Sequence, residues 1–142
     1  MTPAPTPPLD IDWSGAHTTE IQVRFGDVDS LGHVNNVAYA QYLEIARVAY
    51  MEALRERGIT FTMVVARLEV DYVREVKLRE RVTVELAPTR LGASSFDFHY
   101  RVLADGVVAA AARTVQVNVE PSERRPRPLP EDLRRALERD LK

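Results

Sequence analysis

The feature that most limits what this chain can fold into is a single change of hydrophobic period at Gly58. From Val37 to Arg57 two adjacent apolar rows recur at helical spacing, Ala38, Tyr42, Ile45, Ala49 and Ala53 beside Tyr39, Leu43, Ala46, Tyr50 and Leu54. Gln41, Glu44, Glu52 and Arg55 occupy the opposite face, so a long amphipathic helix is expected, with Gly58 as its stop. Beyond it the period is two. Ala66, Leu68, Val70 and Tyr72 alternate with polar residues, as do Val82, Val84 and Leu86, then Phe96, Phe98, Tyr100 and Val102, then Val115, Val117 and Val119. Asp105-Gly106 is a two-residue hairpin signal between the last two strands.

Ahead of the helix, Ile21, Val23 and Phe25 alternate with Glu20, Gln22 and Arg24, which predicts a first strand over Thr19–Phe25. At the other end, Pro121–Pro130 breaks the sheet and Glu131–Leu141 reads as a short amphipathic helix with acids in its first turn. The order β-α-β-β-β-β never alternates strand with helix, so the class is α+β with one five-stranded, mostly antiparallel sheet. One helix cannot cover both faces of such a sheet; pairing with a second copy is the simplest way to hide what remains. The expected divisions are a Pro-rich tail over 1–17, the main domain over 18–120, and a Pro/Arg-rich segment with the short helix over 121–142.

Composition narrows the partners. With 19 Lys+Arg against 21 Asp+Glu the net charge is −2, without the basic excess that nucleic-acid binding needs. There is no cysteine, which removes disulfides, thiol nucleophiles and thiolate metal sites together and is compatible with a reducing compartment. No stretch approaches the ~20 apolar residues of a membrane span, and Met1–Asp10 lacks a leader's apolar core. A cytoplasmic location is expected.

The chemistry-bearing residues crowd into the junction between first strand and helix: Asp27, Asp29, Gly32, His33, Asn35 and Asn36. Asn35 or Asn36 suits the helix N-cap. Free N–H groups in a helix's first turn form an anion site, and a nearby carboxylate can activate water. Asp27 is read as holding local backbone amides. Glu44 and Arg47 are spaced to pair with each other. Metal-ligand patterns of fixed count are absent. His17, His99 and the Arg124–Arg127 run carry no chemical neighbours, so they are read as structural or solvated.

The run Arg24-Phe-Gly-Asp-Val-Asp-Ser-Leu-Gly-His-Val-Asn-Asn-Val-Ala-Tyr39, with Tyr42, Glu44 and Arg47, resembles the signature of the hydroxybenzoyl-CoA thioesterase family of hotdog-fold acyl-CoA thioesterases, over about residues 19–120. The resemblance implies a hotdog fold, a sheet wrapped round the long helix. It also implies hydrolysis of an acyl-CoA or acyl-carrier-protein thioester without a cofactor, and a homodimer or homotetramer with its site at a subunit interface. In it Asp29 is the catalytic carboxylate, as general base or as nucleophile through a mixed anhydride, and the amides of Asn35 and Asn36 polarise the carbonyl. His33 holds loop or substrate and assists the leaving thiolate. Tyr39, Tyr42 and Tyr50 are read as core or interface aromatics, with lining of an acyl tunnel as the alternative for Tyr39 and Tyr42 near the helix start, and the resemblance places Arg90, Ser94 and Ser95 near the CoA tail. The presence of His33 resembles the broad acyl-CoA branch more than the aromatic-acyl branch. Two other readings remain: a hotdog dehydratase or hydratase using His33 and Glu44, whose usual Phe-Pro is replaced here by Val34-Asn35, and a non-catalytic acyl-CoA-binding domain.

Overall fold

The computed structural model describes residues 10–142. Its elements are β1 (His17–Ile21), α1 (Asn36–Glu56), β2 (Met63–Tyr72), β3 (Val82–Leu91), β4 (Ser95–Ala104), β5 (Val107–Asn118) and α2 (Glu131–Asp140), with a 3-10 turn at Phe25–Asp27. All strand pairs are antiparallel, in the order β1-β3-β4-β5-β2. One lateral row runs Thr19, Val84, Val102, Ala110, Tyr72, which sets the ends of β1 and β2 as outer edges of one sheet. The β4–β5 hairpin turns on Asp105 (φ 49) and Gly106 (φ 80), the left-handed pair that an Asp-Gly turn supplies. Pro88 sits inside β3 at a bulge, where a missing N–H costs the ladder least.

The core lies between α1 and one face of the sheet. Tyr39, Tyr42, Leu43, Ala46, Tyr50, Met51 and Leu54 meet Val82, Val84, Leu86, Phe96, Phe98 and Tyr100, all buried. Tyr50 and Phe98 pack edge to face at 5.3 Å and Phe96 and Phe98 likewise at 5.3 Å, contacts worth roughly 0.5–1.5 kcal/mol each beyond area burial. Leu129, Leu133, Ala136 and Leu137 close the same core, so residues 121–142 are not a separate appendage to the main domain.

Two expectations are corrected. The first strand ends at Ile21 rather than Phe25, because Ile21 pairs with Val82, the first residue of β3, and no strand extends further to receive Gln22–Phe25. Phe25 is therefore 86% exposed. Residues 1–9 of the expected tail lie outside the described residues, but 10–17 are anchored: Trp13 is buried, with the Arg101 guanidinium 5.1 Å from its ring, and His17 opens β1. As the sequence predicts, apolar surface is left open on the fold. Ile45 and Val48 stay exposed, beside exposed Val65 and Leu68 of β2.

Candidate active site

Asp27 forms the base of the site. Its carboxylate is buried and accepts from the Arg24 backbone N–H (3.0 Å), from Arg24 Nη2 (2.9 Å) and from the Tyr42 hydroxyl (2.9 Å). Burial works against its charge, but the hydrogen bonds from Arg24 and Tyr42 outweigh it and hold the carboxyl below its usual range. Tyr42 is shifted the other way, upward, by burial and by its bond to Asp27. The Asp27 carbonyl in turn accepts the Asn35 N–H at 2.7 Å. One buried residue thus ties the loop to the first turn of α1.

The loop above it is a closed turn. Val28 bridges Val34, Asp29 N–H donates to the His33 carbonyl (2.8 Å), and Gly32 N–H donates to the Asp29 carbonyl (3.1 Å). Gly32 takes φ +82, a conformation that an L side chain adopts only with strain. The closed backbone presents two amides to Asp29: its Oδ1 accepts from Leu31 N–H (2.9 Å) and His33 N–H (3.1 Å). Oδ2 has no hydrogen-bond partner among the described residues. Asp29 is thus oriented by its own loop with one oxygen left for other work.

A second segment backs this loop. Val34 N–H donates to the Val76 carbonyl at 2.7 Å, His33 bridges Lys77, and Val76 is fully buried. Between the loop, the start of α1 and this segment lies a cavity of about 320 Å³, lined among others by Asp29, His33, Asn36, Tyr39, Tyr72 and Glu75. Tyr39 and Tyr72 meet edge to face at 5.0 Å, and the Tyr72 hydroxyl donates to the Asn36 carbonyl at 3.0 Å. Burial raises the phenol of each. His33 Nε2 stands 3.1 Å from Glu75 Oε2.

The fold therefore brings together Asp29, His33, Asn36 and Tyr39, and separates the other expected site residues from them. Asn35 is the N-cap: its side chain accepts the Val37 N–H at 3.0 Å, while its own N–H is spent on Asp27. Of the two amides expected to face a carbonyl oxygen, only that of Asn36 has no partner among the described residues. Tyr42 is buried below the cavity with its hydroxyl on Asp27, not on the cavity wall. Arg90, Ser94 and Ser95 lie at the other end of the sheet. Ser95 pairs with Val117 and Tyr72 with Ala110, seven residues along β5, or about 23 Å. Within one chain they cannot reach the cavity; Arg90 instead bonds Asp97 (2.9 Å) and Ser95 (2.9 Å).

Arg47 does not pair with Glu44 but turns inward to the Tyr100 hydroxyl at 3.2 Å. Glu44 lines a different cavity, with Val48, Met51 and Val65, so His33 and Glu44 do not share a site in one chain as a dehydratase would require. Sequence reasoning missed Tyr72, Arg74 and Glu75. Tyr72 was legible as the end of a strand, but only the register of β2 against β5 carries it to the helix start. Among the described residues no three His, Cys, Asp or Glu stand close enough to hold a metal, and no helix is long and apolar enough to cross a membrane.

A five-stranded antiparallel sheet packed against one long helix, with a short C-terminal helix closing the core, is the hotdog arrangement. Comparison with known proteins agrees. A thioesterase-like superfamily model matches residues 23–137. The 1,4-dihydroxy-2-naphthoyl-CoA hydrolase of Synechococcus elongatus is 32% identical over 121 residues, covering 78% of this chain and 87% of that protein. A thioesterase from Thermus thermophilus, solved in complex with coenzyme A and Zn, superposes with a TM-score of 0.76 at 41% identity, over 85% of this chain and 92% of that one. A predicted thioesterase from Bacillus stearothermophilus superposes with a TM-score of 0.81 at 33% identity, over 88% and 96%. The chain belongs to the thioesterase-like superfamily and has the hotdog fold.

Proposed function

We propose that the protein hydrolyses an acyl-CoA thioester to the free acid and coenzyme A, with Asp29 as the catalytic carboxylate. The observation that carries this reading is the state of Asp29: Oδ1 is fixed by two loop amides while Oδ2 is unengaged in a cavity shared with the first free amide of α1. As general base, Oδ2 takes a proton from water as the water attacks the thioester carbon. As nucleophile, it attacks that carbon itself, and water then opens the anhydride. In both cases negative charge develops on the carbonyl oxygen, where the Asn36 N–H and the helix dipole favour it. One such donor is worth about 10²–10³ in kcat.

The names of the relatives support coenzyme A rather than a carrier protein as the thiol, and the Tyr39–Tyr72 pair supports an aromatic acyl group among the substrates to be tried first. A homodimer is part of the same reading. It is supported by β2 at the sheet edge and by exposed Val37, Ile45, Val48, Val65, Leu68 and Tyr72 along α1 and β2. Arg90, Ser94 and Ser95 then serve the CoA tail only across a subunit interface.

The test is thiol release from short, medium, long and aromatic acyl-CoAs. Release of free CoA is expected for at least one class. Binding without release across the panel would favour a non-catalytic acyl-CoA-binding domain, and loss of an enoyl absorbance without free thiol would favour a hydratase.

A further inference from the structure

The contact between His33 and Glu75 is built by backbone on both sides. His33 sits in the closed turn, its N–H on Asp29 Oδ1 and its backbone bridged to Lys77. Glu75 lies between Arg74, whose N–H donates to the Ala109 carbonyl at 3.1 Å, and Val76, which is fully buried and accepts from Val34. An exposed ion pair between two free side chains contributes little, because both must be ordered to meet. Here the two zipped backbones set the side chains next to each other, with that of His33 25% and that of Glu75 68% exposed.

The charged and titratable groups around His33 have been divided among other tasks. Asp29 faces its backbone N–H, and Arg74 is turned away to the Ala104 carbonyl (3.2 Å) and to Glu80 (2.8 Å). Lys77 meets it through backbone, while Tyr39 and Tyr72 share the cavity and pack on each other. The carboxylate on the ring is that of Glu75, at Nε2.

We infer that Glu75 is a positioning residue for the leaving-group step of the proposed hydrolysis, and the inference rests on that reading. Glu75 holds the Nε2–H, which fixes the ring and leaves Nδ1–H of the imidazolium as the donor toward substrate. After oxygen has bonded to the acyl carbon, the C–S bond breaks and its electron pair goes to sulfur. Sulfur takes the Nδ1 proton, and His33 becomes neutral with Nε2–H still on Glu75. The proton that Asp29 removed from water is released to solvent and His33 takes one back from solvent, so both groups are restored and thioester and water become acid and thiol.

The experiment compares wild type, Glu75→Gln, Glu75→Ala and His33→Ala on two thioesters of one acyl group, the CoA ester and an aryl thioester whose thiolate leaves without a proton. On the CoA ester, Glu75→Ala is expected to lower kcat about tenfold, a part of what general acid catalysis supplies, and Glu75→Gln, which keeps an oxygen to accept the Nε2–H, to restore most of it. KM should change less than twofold. On the aryl thioester Glu75→Ala should stay within twofold of wild type, and Glu75→Ala in a His33→Ala background should add no further loss on the CoA ester. Equal losses on both esters would make Glu75 merely structural and overturn the inference. So would a Glu75→Ala enzyme with unchanged kcat on the CoA ester. Wild type that releases no thiol from any ester would instead overturn the hydrolase reading, and this inference with it.

Discussion

Removing the Asp27 carboxylate should cost stability in a way that depends on Tyr42. In Asp27→Ala the Tyr42 hydroxyl, 1% exposed, is left in the core without a partner, a loss of about 2 kcal/mol. The bonds to Arg24, whose side chain is 67% exposed, are screened by solvent and add little. A loss of about 2 kcal/mol lowers the melting temperature by about 6 °C in a chain of this size. Tyr42→Phe removes one bond to a charged acceptor and leaves Asp27 its Arg24 donors, at about 1.5 kcal/mol. The double variant leaves no buried hydroxyl without a partner, so it should lose only about 2 kcal/mol, and the two single effects should fail to add by about 1.5 kcal/mol. Urea denaturation of the four proteins gives the cycle directly. Additive effects, or an Asp27→Ala protein within 0.5 kcal/mol of wild type, would refute the claim that this pair ties the loop to α1.

The same carboxylate predicts an acid limb in stability. Its folded value is depressed, so its contribution is complete above the unfolded carboxyl value near pH 4 and is lost as pH falls through the folded one; Asp27→Asn should flatten the stability–pH curve below about pH 4. Gly32→Ala should cost about 1–2 kcal/mol, since a methyl there meets nothing within 4 Å and the penalty is the left-handed backbone alone; a neutral result by thermal melting would mean that the turn relaxes freely. Replacing both Val65 and Leu68 by Lys should convert a dimer to monomers by light scattering and remove thiol release with it, whereas a wild type that is already monomeric would refute the proposed interface.

What could be read from the sequence was what depends on local period and turn chemistry. The long helix, an Asn cap at 35 or 36, the Asp105-Gly106 hairpin and the four strands after Gly58 follow from spacing that needs no tertiary partner. The first strand was misjudged because its end is set by where β3 begins, and the alternation of Gln22–Phe25 continues after the partner has run out. The site was legible only on its loop side. Asp29, His33 and Asn36 come from one contiguous run, whereas Glu75 and Tyr72 arrive through strand register, which no local pattern encodes. Asn35 shows the limit within the run itself. Its capping side chain was foreseeable, but the Asp27 carbonyl that consumes its N–H was not.

The most direct test is the rate of thiol release by Asp29→Asn on the best acyl-CoA of the panel. Asn keeps an oxygen to accept the Leu31 and His33 amides, so the loop should persist and the circular dichroism and melting temperature should match wild type. The account predicts a kcat at least about 100-fold lower, the scale of a lost general base. A correctly folded Asp29→Asn protein that releases thiol at the wild-type rate would contradict it.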